Sequence, residues 1–269
     1  MSSTRPDDAW NEGDPYERYV GRWSQAVAGA FLAWLALPPE LRWLDVGCGT
    51  GALTAAIRAT CRPASLVGID PSAGFLSKAS ARLQGAATLR VASALDVPLH
   101  DATVDVVVSG LALNFFPDPA RGMRNMRETT AAGGTVAAYV WDYAGKMELM
   151  RHFWDAAVAL DDAARALDEG VRFPLCRPDA LAALFTDAGL EKVATRAIDI
   201  TTRFADFDDY WAPFLGGQGP APSYAMALDE TSRNALRDRI RRQLPIAADG
   251  SIALVARAWA VRGQVPKAA

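Results

Sequence analysis

The chain has 269 residues, of which 51% are hydrophobic and 22% charged, with a formal net charge of -3 at pH 7. This length and apolar content suffice for a large hydrophobic core, which excludes an intrinsically disordered chain. A slightly acidic protein has no general attraction for phosphate backbones, so we expect no nucleic-acid partner.

No apolar run reaches the roughly 18 to 20 residues that span a bilayer, and the first residues lack the features of a secretion signal. We therefore expect a cytoplasmic protein with no membrane partner. The three cysteines, Cys48, Cys61 and Cys176, are widely separated and have no metal-ligand spacing. The sequence thus predicts neither a disulfide framework nor a metal site.

The first predicted element is a helix at residues 17–37, in which apolar residues from Val20 to Trp34 recur at intervals of three or four. This spacing places them on one buried face. The helix ends before Pro38 and Pro39, because proline cannot continue a helix.

Short apolar runs then alternate with helical segments as far as residue 141. The runs, which are typical of buried strands, lie at residues 41–46, 66–69, 88–91, 104–109 and 135–141. Strands that are apolar throughout and separated by helices indicate a parallel sheet covered on both faces. We therefore predict an α/β fold with a Rossmann-like, doubly wound sheet.

This alternation ends beyond Tyr143. We predict helices at 147–167 and 178–188, strands at 192–204 and 251–263, and a helical region at 205–250 between the two strands. The predicted organisation is a loose N-terminus (1–15), a single domain (16–263) with helical cap elements at 145–190 and 205–250, and a tail (264–269). The alternative for 205–250 is a structural insertion without a role in ligand binding.

The strongest chemical signal is an apolar strand, a glycine turn and a helix start around Gly49. Gly47, Gly49 and Gly51 permit positive φ and let a ligand approach the backbone, and the helix N-terminus offers free amides. Asp70 follows Gly51 by 19 residues at the end of the next strand, where a carboxylate holds ribose hydroxyls. The pattern suits either a dinucleotide or a cofactor with a positively charged amino group, and Asp45 distinguishes between these two classes. Its charge repels the pyrophosphate of a dinucleotide and attracts a cofactor with a positively charged amino group.

The chain resembles the class I S-adenosylmethionine-dependent methyltransferases, in particular the group that acts on small molecules, in its segment Leu44-Asp45-Val46-Gly47-Cys48-Gly49-Thr50-Gly51. It is similar to the family's second motif in Gly68-Ile69-Asp70-Pro71-Ser72 and to the adenine-edge motif at residues 91–99. The strands at 192–204 and 251–263 resemble the family's reversed final hairpin. The resemblance therefore implies a mixed sheet with a reversed C-terminal strand.

The resemblance also implies S-adenosylmethionine as the cofactor and assigns its contacts. These are Asp45, Gly47, Cys48, Gly49 and Gly51 in the turn, Asp70 and Pro71 at the ribose and adenine, Ser93, Ala94 and Leu95 at the adenine edge, and Ser109, Gly110 and Leu111 beside the methionine part. The family commonly has an aspartate where this chain has Ser93, whose hydroxyl is a weaker acceptor for the adenine amino group. Asp96 is an alternative acceptor there.

The leading helix supplies two further candidates, because in similar methyltransferases this segment folds over the cofactor. Tyr19 and Arg22 are our candidate contacts to the cofactor or its carboxylate, and plain packing or solvation is the alternative.

Methyl transfer requires a base only when the acceptor is protonated at neutral pH. The candidates are His152, on the helix at 147–167, and Asp142, which follows the fifth strand. The alternatives are a packed or surface histidine and a turn residue. Asn114, at the end of the fourth-strand segment, either binds acceptor or cofactor or closes a turn.

We therefore expect an enzyme, monomeric or homodimeric, that transfers a methyl group from S-adenosylmethionine to a small-molecule acceptor by direct in-line displacement. One alternative is an S-adenosylmethionine-binding protein without catalysis. Another is a nicotinamide-dependent oxidoreductase, which Asp45 and the lack of a Tyr-x-x-x-Lys motif disfavour. The acceptor and its attacking atom, oxygen, nitrogen or carbon, stay open.

Overall fold

The computed structural model describes residues 23–97, 103–216 and 219–267. Two predicted cofactor contacts, Tyr19 and Arg22, lie outside the described residues, as does the predicted loose N-terminus. Every other residue assigned above to the cofactor or the acceptor lies within them.

Seven strands form a single sheet in the described part of the chain. They are β1 (Arg42–Val46), β2 (Ser65–Asp70), β3 (Thr88–Val91), β4 (Val104–Gly110), β5 (Thr130–Trp141), β6 (Glu191–Phe204) and β7 (Ile252–Gln264). Their order across the sheet is β3-β2-β1-β4-β5-β7-β6. Strands β1 to β5 pair in parallel, whereas β7 pairs antiparallel with β5. The predicted α/β fold, a Rossmann-like mixed sheet with a reversed C-terminal strand, is confirmed.

The central strands form from β-branched and aromatic residues that are buried on both faces of the sheet. In β4, Val106, Val107 and Val108 are at most 1% exposed, and in β1 both Trp43 and Leu44 are fully buried. Chain order reverses between β1 and β4, which are neighbours in the sheet. In open α/β sheets this switch point leaves a crevice at the carboxyl ends of the strands, where ligands bind.

Within the described ranges, one helix precedes β1, and the others lie in the connections between strands. They are α1 (Ser24–Leu35), α2 (Ala52–Thr60), α3 (Ala73–Leu83), α4 (Pro119–Thr129), α5 (Glu148–Leu160), α6 (Glu169–Arg172), α7 (Pro178–Asp187), α8 (Phe207–Trp211), α9 (Pro220–Ala227) and α10 (Glu230–Gln243). Three helices begin after a residue whose side chain accepts a hydrogen bond from the backbone amide three residues later. This residue is Ser72 for α3, Asp118 for α4 and Asp229 for α10. Among the described helices, none combines the length and the apolar character that crossing a membrane requires.

One predicted helix is broken in the structure. The segment 147–167 was expected to be continuous, but α5 ends at Leu160 and a separate 3₁₀ helix covers Asp162–Leu167. Asp161 lies between them with an extended backbone, and its carboxylate accepts a hydrogen bond from the amide of Ala163. Aspartate competes with helix continuation in this way, so the side chain ends one helix and caps the next.

The chain divides into two compact units. The sheet unit comprises Ser24–Trp141, Leu175–Ile198 and residues 258–267, and the helical unit comprises Trp23, Asp142–Pro174, 199–216 and 219–257. Of the elements between β5 and β6, therefore, α5 and α6 belong to the helical unit and α7 to the sheet unit.

Each unit has an aromatic core of its own. In the sheet unit, Phe31 of α1 packs on Tyr139 of β5 with ring centroids 4.7 Å apart. In the helical unit, Phe153 of α5 stacks on Phe214 at 4.6 Å, and the hydroxyl of buried Tyr210 donates a hydrogen bond to Leu149 O at 2.8 Å. These contacts bury large rings while satisfying the polar end of the tyrosine.

Candidate functional site

The turn after β1 contains three glycines in the left-handed region, Gly47 (φ 72°), Gly49 (φ 54°) and Gly51 (φ 82°). A Cβ added to Gly47 would lie 2.6 Å from Cβ of Ala112, and one added to Gly51 would lie 3.1 Å from Cβ of Ala79. Among the described residues, no atom beyond the chain neighbours lies within 4 Å of a Cβ added to Gly49. Gly47 and Gly51 thus allow close packing inside the protein, whereas Gly49 borders open space that a ligand can enter.

Backbone hydrogen bonds tie this turn to β2. The amides of Gly47 and Cys48 both donate to Ile69 O, at 2.8 and 3.0 Å, and the amide of Gly49 donates to Oδ2 of Asp70 at 2.9 Å. Gly51, which precedes α2, provides no side-chain cap. The amides in the first turn of α2 have no partner within the helix, so they are the donors that this turn offers to a ligand.

Asp45 lies at the carboxyl end of β1 and is fully buried. Its Oδ2 accepts a hydrogen bond from the hydroxyl of Thr54 at 2.7 Å, while its Oδ1 is buried without a hydrogen-bond partner in the described structure. Burial raises the pKa of Asp45 to about 7, and repulsion from Asp70 adds to the effect, although the Thr54 hydroxyl opposes it. A buried carboxylate oxygen without a partner favours a positively charged ligand group.

Asp70 ends β2 and is 7% exposed. Oδ2 accepts from the amide of Gly49 and Oδ1 from the amide of Ser72, at 2.9 and 2.8 Å. Burial raises its pKa, and these two amides oppose the rise. Each oxygen of a carboxylate has a second lone pair, so Asp70 can still accept hydrogen bonds from hydroxyls. Pro71, the next residue, is exposed.

Cys48 contributes its backbone to the turn. A Cβ added to Gly68 of β2 would lie 3.0 Å from Sγ of Cys48, so the thiol points toward the sheet. Burial raises the pKa of the thiol, and the charges of Asp45 and Asp70 raise it further, which keeps the thiol protonated. Across the described ranges, no group of three or more histidine, cysteine or acidic side chains is arranged to hold a metal ion.

The loop after β3 contains Ser93, Ala94 and Leu95. The hydroxyl of Ser93 accepts a hydrogen bond from the amide of Leu95 at 3.1 Å, and Ser93 O accepts one from the amide of Asp96 at 3.0 Å. The Ser93 side chain therefore closes a local turn and retains its own O–H for a ligand. Ala94 is buried, and Asp96 is exposed.

The end of β4 has a strained backbone. Leu111 adopts φ 58°, a conformation that is costly for a branched residue, and its amide donates to Tyr139 O at 2.8 Å. A Cβ added to Gly110 would lie 2.6 Å from the hydroxyl oxygen of Tyr139, so only glycine fits there. The hydroxyl of Ser109 is buried without a hydrogen-bond partner among the described residues. Strain and an unpaired polar group together are typical of a functional site.

Three residues that sequence reasoning missed lie beside these positions: Thr54 at Asp45, Tyr139 at Gly110, and Asn125, whose Nδ2 donates to Ala94 O. A hydroxyl in the first turn of the helix after the glycine turn is a signal that would have found Thr54. No local pattern marks the other two. Asn114 was singled out, and both polar atoms of its amide are buried without a partner in the described structure.

The two candidate bases, Asp142 and His152, belong to the helical unit. Oδ2 of Asp142 accepts from the amide of Lys146 at 3.0 Å, and Asp142 O accepts from the amide of Met147, so this residue holds a turn. His152 is half-buried on α5. Burial lowers its pKa, with the charges of Glu148 and Asp155 opposing the shift, so the imidazole is neutral at pH 7.

Among the predicted cofactor residues, the sheet unit contains Asp45, the turn glycines, Cys48, Asp70 and Pro71, the loop 93–95, and Ser109, Gly110 and Leu111. They lie at, or directly after, the carboxyl ends of β1, β2, β3 and β4, which are adjacent in the sheet. Hydrogen bonds join the turn after β1 to Asp70, and Ala92 N donates to Asp70 O at 3.2 Å. This continuous edge suits an elongated ligand with a positive charge at one end and hydroxyls in the middle.

Comparison with known proteins identifies this region. A family described as "Methyltransferase domain" matches residues 44–138. Trans-aconitate 2-methyltransferase of Klebsiella pneumoniae is 29% identical over 221 residues, which are 78% of this chain and 81% of that protein. The enzyme of the same name from Deinococcus radiodurans is 32% identical over 131 residues, or 49% of each chain.

A solved structure shares the fold. Phosphoethanolamine N-methyltransferase 2 of Haemonchus contortus, determined with S-adenosyl-L-methionine, superposes with a TM-score of 0.58 at 14% identity, over 94% of this chain and 56% of that one. The matched region contains the glycine turn, Asp45 and Asp70, and it ends within β5. Residues 44–138 therefore match a methyltransferase domain, and the fold is that of a solved methyltransferase determined with S-adenosyl-L-methionine.

Proposed function

We propose that this protein binds S-adenosylmethionine along the carboxyl ends of β1 to β4 and transfers its methyl group to a small-molecule acceptor. The observation that carries the proposal is Oδ1 of Asp45, a buried carboxylate oxygen without a partner in the described structure. The open space at Gly49 supports the same assignment. In this arrangement Asp45 attracts the amino group of the cofactor and Gly49 lets it approach the backbone.

The positions of the other groups follow from strand order. Asp70, on the strand next to β1, accepts hydrogen bonds from the ribose hydroxyls. The base then extends toward the loop after β3, and the methionine part lies at the end of β4, beside Ser109, Gly110 and Leu111. We propose these contacts as the cofactor site.

When bound, S-adenosylmethionine supplies an electrophilic methyl group: the acceptor's lone pair bonds to the methyl carbon, the carbon–sulfur bond breaks, and sulfur keeps the electron pair. The protein must hold the acceptor in line with that bond and exclude water. The strained Leu111 fixes the backbone at the end of β4, where this alignment is needed.

The acceptor class is supported by the names of the relatives, two of which are trans-aconitate 2-methyltransferases. A carboxylate acceptor is already ionised at neutral pH and requires no base, whereas a hydroxyl or ammonium acceptor requires one. The half-buried imidazole of His152 is neutral at pH 7 and is chemically able to take up a proton, so this residue is the candidate base to test. The hydrogen bonds of Asp142 favour a structural role for that residue.

Calorimetric titration tests cofactor binding. We expect S-adenosylmethionine and S-adenosylhomocysteine to bind and NAD not to bind. Asp45→Asn and Asp70→Ala should each weaken binding by at least tenfold, since each removes a charged hydrogen-bond acceptor worth roughly 1.5 to 3 kcal/mol. Asp187→Asn, at an exposed residue of α7, is the matched control and should bind like the wild type. Binding of NAD alone would refute the proposal.

Mass spectrometry of reaction mixtures tests methyl transfer. A panel of small carboxylic acids, phenols and amines, beginning with trans-aconitate, is incubated with the protein and S-adenosylmethionine. A product heavier by one methylene, formed together with S-adenosylhomocysteine, identifies the acceptor. Cofactor binding without turnover of any panel member would instead favour a protein that binds the cofactor without catalysis. With a hydroxyl or amine acceptor identified, a lower kcat for His152→Gln with an unchanged Kd for S-adenosylhomocysteine would identify His152 as the base, whereas a carboxylate acceptor should show no effect on kcat.

A further inference from the structure

The loop after β3 is held from the side by α4. Nδ2 of Asn125, in the middle of α4, donates a hydrogen bond to Ala94 O at 3.0 Å. Ala94 is 7% exposed, and a Cβ added to Gly122, one turn earlier on α4, would lie 3.6 Å from Cβ of Ala94. The loop 93–96 therefore rests on one face of this helix.

The same helix face also contacts the turn after β1, through Phe116. A Cβ added to Gly122 would lie 2.7 Å from Cδ2 of Phe116, and one added to Gly47 would lie 3.6 Å from Cε1 of the same ring. The Phe116 ring thus touches the glycine turn with one edge and α4 with another. Because only a residue without a side chain admits the ring at Gly122, α4, Phe116 and the turn are closely fitted.

We propose that Asn125 is a positioning residue that fixes the loop 93–96 to receive the base of the bound cofactor. The inference rests on the proposed function, in which Asp70 holds the ribose. The loop is hydrogen-bonded to Asp70 through the amide of Ala92 and follows the next strand outward from β2, so the base extends onto it. Asn125 does not itself touch the ligand and acts through the backbone of Ala94.

The physical reason is preorganisation. A loop of four residues that is free to move loses conformational entropy when a ligand orders it, and this loss weakens binding. The Asn125 hydrogen bond removes that freedom before binding. The same hydrogen bond holds the backbone of Ala94 in place. The hydrogen bond between the Leu95 amide and the Ser93 hydroxyl on either side of it therefore keeps its geometry.

Two ligands separate the roles of the two ends of the site. S-adenosylhomocysteine contains the nucleoside and the amino acid, whereas 5′-methylthioadenosine contains the nucleoside without the amino acid and its ammonium group. We expect Asn125→Ala to weaken binding of both ligands roughly three- to tenfold, which corresponds to one lost hydrogen bond. Asp45→Asn should weaken binding of S-adenosylhomocysteine and leave 5′-methylthioadenosine unaffected, since that ligand has no charge to place at Asp45.

Matched variants separate positioning from folding. Asn125→Asp is isosteric, lacks the donor, and should behave like Asn125→Ala, whereas Asn125→Gln keeps an amide and should restore part of the affinity. Arg124→Ala, at the exposed residue before it on α4, should bind both ligands like the wild type. Thermal unfolding identifies any variant that is not folded. If Asn125→Ala is not folded, Asn125→Asp is used in its place.

The outcomes distinguish this inference from the proposed function. If the wild type binds neither ligand, the proposed function fails and the inference with it. If the wild type binds both and Asn125→Ala and Asn125→Asp bind both equally well, the inference alone is overturned. Weaker binding of S-adenosylhomocysteine with unchanged binding of 5′-methylthioadenosine would also overturn it, because the effect would then lie at the amino-acid end.

Discussion

The hydroxyl of Thr54 donates a hydrogen bond to Oδ2 of Asp45 at 2.7 Å, and neither residue has any exposed surface. Asp45 is the penultimate residue of β1 and Thr54 lies in the first turn of α2, so the bond spans the glycine turn. It holds one carboxylate oxygen and leaves Oδ1 without a partner in the described structure. The bond thereby fixes the orientation in which Asp45 meets a positively charged group.

Replacing Thr54 by valine tests this relationship, because valine keeps the branched shape and removes the hydroxyl. We expect Thr54→Val to weaken binding of S-adenosylhomocysteine roughly three- to tenfold, the effect of one lost hydrogen bond. Thr54→Ser retains the donor and should bind like the wild type. Calorimetry measures both, and equal affinity for Thr54→Val and wild type would show that the bond does not orient Asp45 for the ligand.

The affinity for the cofactor should depend on pH through Asp45. Its pKa is raised to about 7 by burial, so the carboxyl becomes protonated below that pH and loses its attraction for an ammonium group. A ligand ammonium binds the ionised form, so the affinity for S-adenosylhomocysteine should fall by up to about tenfold for each pH unit below the pKa. Titrations across this range measure the slope.

Two controls belong to this pH series. Asp45→Asn cannot ionise, so its affinity should be lower and should lose the dependence on pH near 7. The ligand 5′-methylthioadenosine lacks the ammonium group and should show little dependence with the wild type. If the affinity of Asp45→Asn for S-adenosylhomocysteine depends on pH as steeply as that of the wild type, a group other than Asp45 causes the dependence.

Gly49 and Gly85 form a matched pair for testing where the cofactor lies. Both have positive φ, 54° and 83°, and within the described ranges a Cβ added to either would have no atom beyond its chain neighbours within 4 Å. Alanine at either position should therefore cost a similar free energy of unfolding, about 1 to 2 kcal/mol for the left-handed backbone. Only Gly49→Ala should weaken binding of S-adenosylmethionine, because its methyl group enters the proposed site. Equal loss of binding in both variants would contradict that placement.

Most strands were predictable because a strand buried on both faces must be apolar throughout. The predicted strand at 104–109, which is buried almost throughout, is one residue shorter than β4. The predicted strand at 88–91 coincides with β3, although this edge strand is mostly exposed and contains Arg90. The positions of Asp45 and Asp70 were also predictable, since each lies at the carboxyl end of a predicted strand. Local pattern and sheet geometry are sufficient for these residues.

Contacts between distant segments were not predictable from local pattern. Asn125 meets Ala94 across 31 residues, and Tyr139 meets Gly110 from the neighbouring strand. Both contacts depend on how α4 and β5 pack, which a single sequence does not determine. The break of the predicted helix at Asp161 was missed for another reason, because the apolar spacing continues while the aspartate caps a new turn.

Glu169, in the helical unit, is a buried acid outside the proposed cofactor site. It is 2% exposed, and the indole N–H of Trp154 donates a hydrogen bond to its Oε2. Burial raises the pKa of Glu169 from 4.5 to about 7, and the Trp154 bond opposes this shift. A pKa raised in the folded state means that the protonated carboxyl is the form that the fold prefers.

The sign of the resulting effect on stability follows from linkage. The contribution of Glu169 is fully present below pH 4.5 and is lost as pH rises through about 7. Over this interval its share of the free energy of unfolding should fall by about 1.4 kcal/mol per pH unit. Glu169→Gln keeps an acceptor for Trp154 and cannot ionise, so urea unfolding should show it gaining stability over the wild type as pH rises. Glu128→Gln, at an exposed residue of α4, should track the wild type. If the free energies of unfolding of Glu169→Gln and wild type differ by the same amount across this pH range, the pKa of Glu169 does not change on folding.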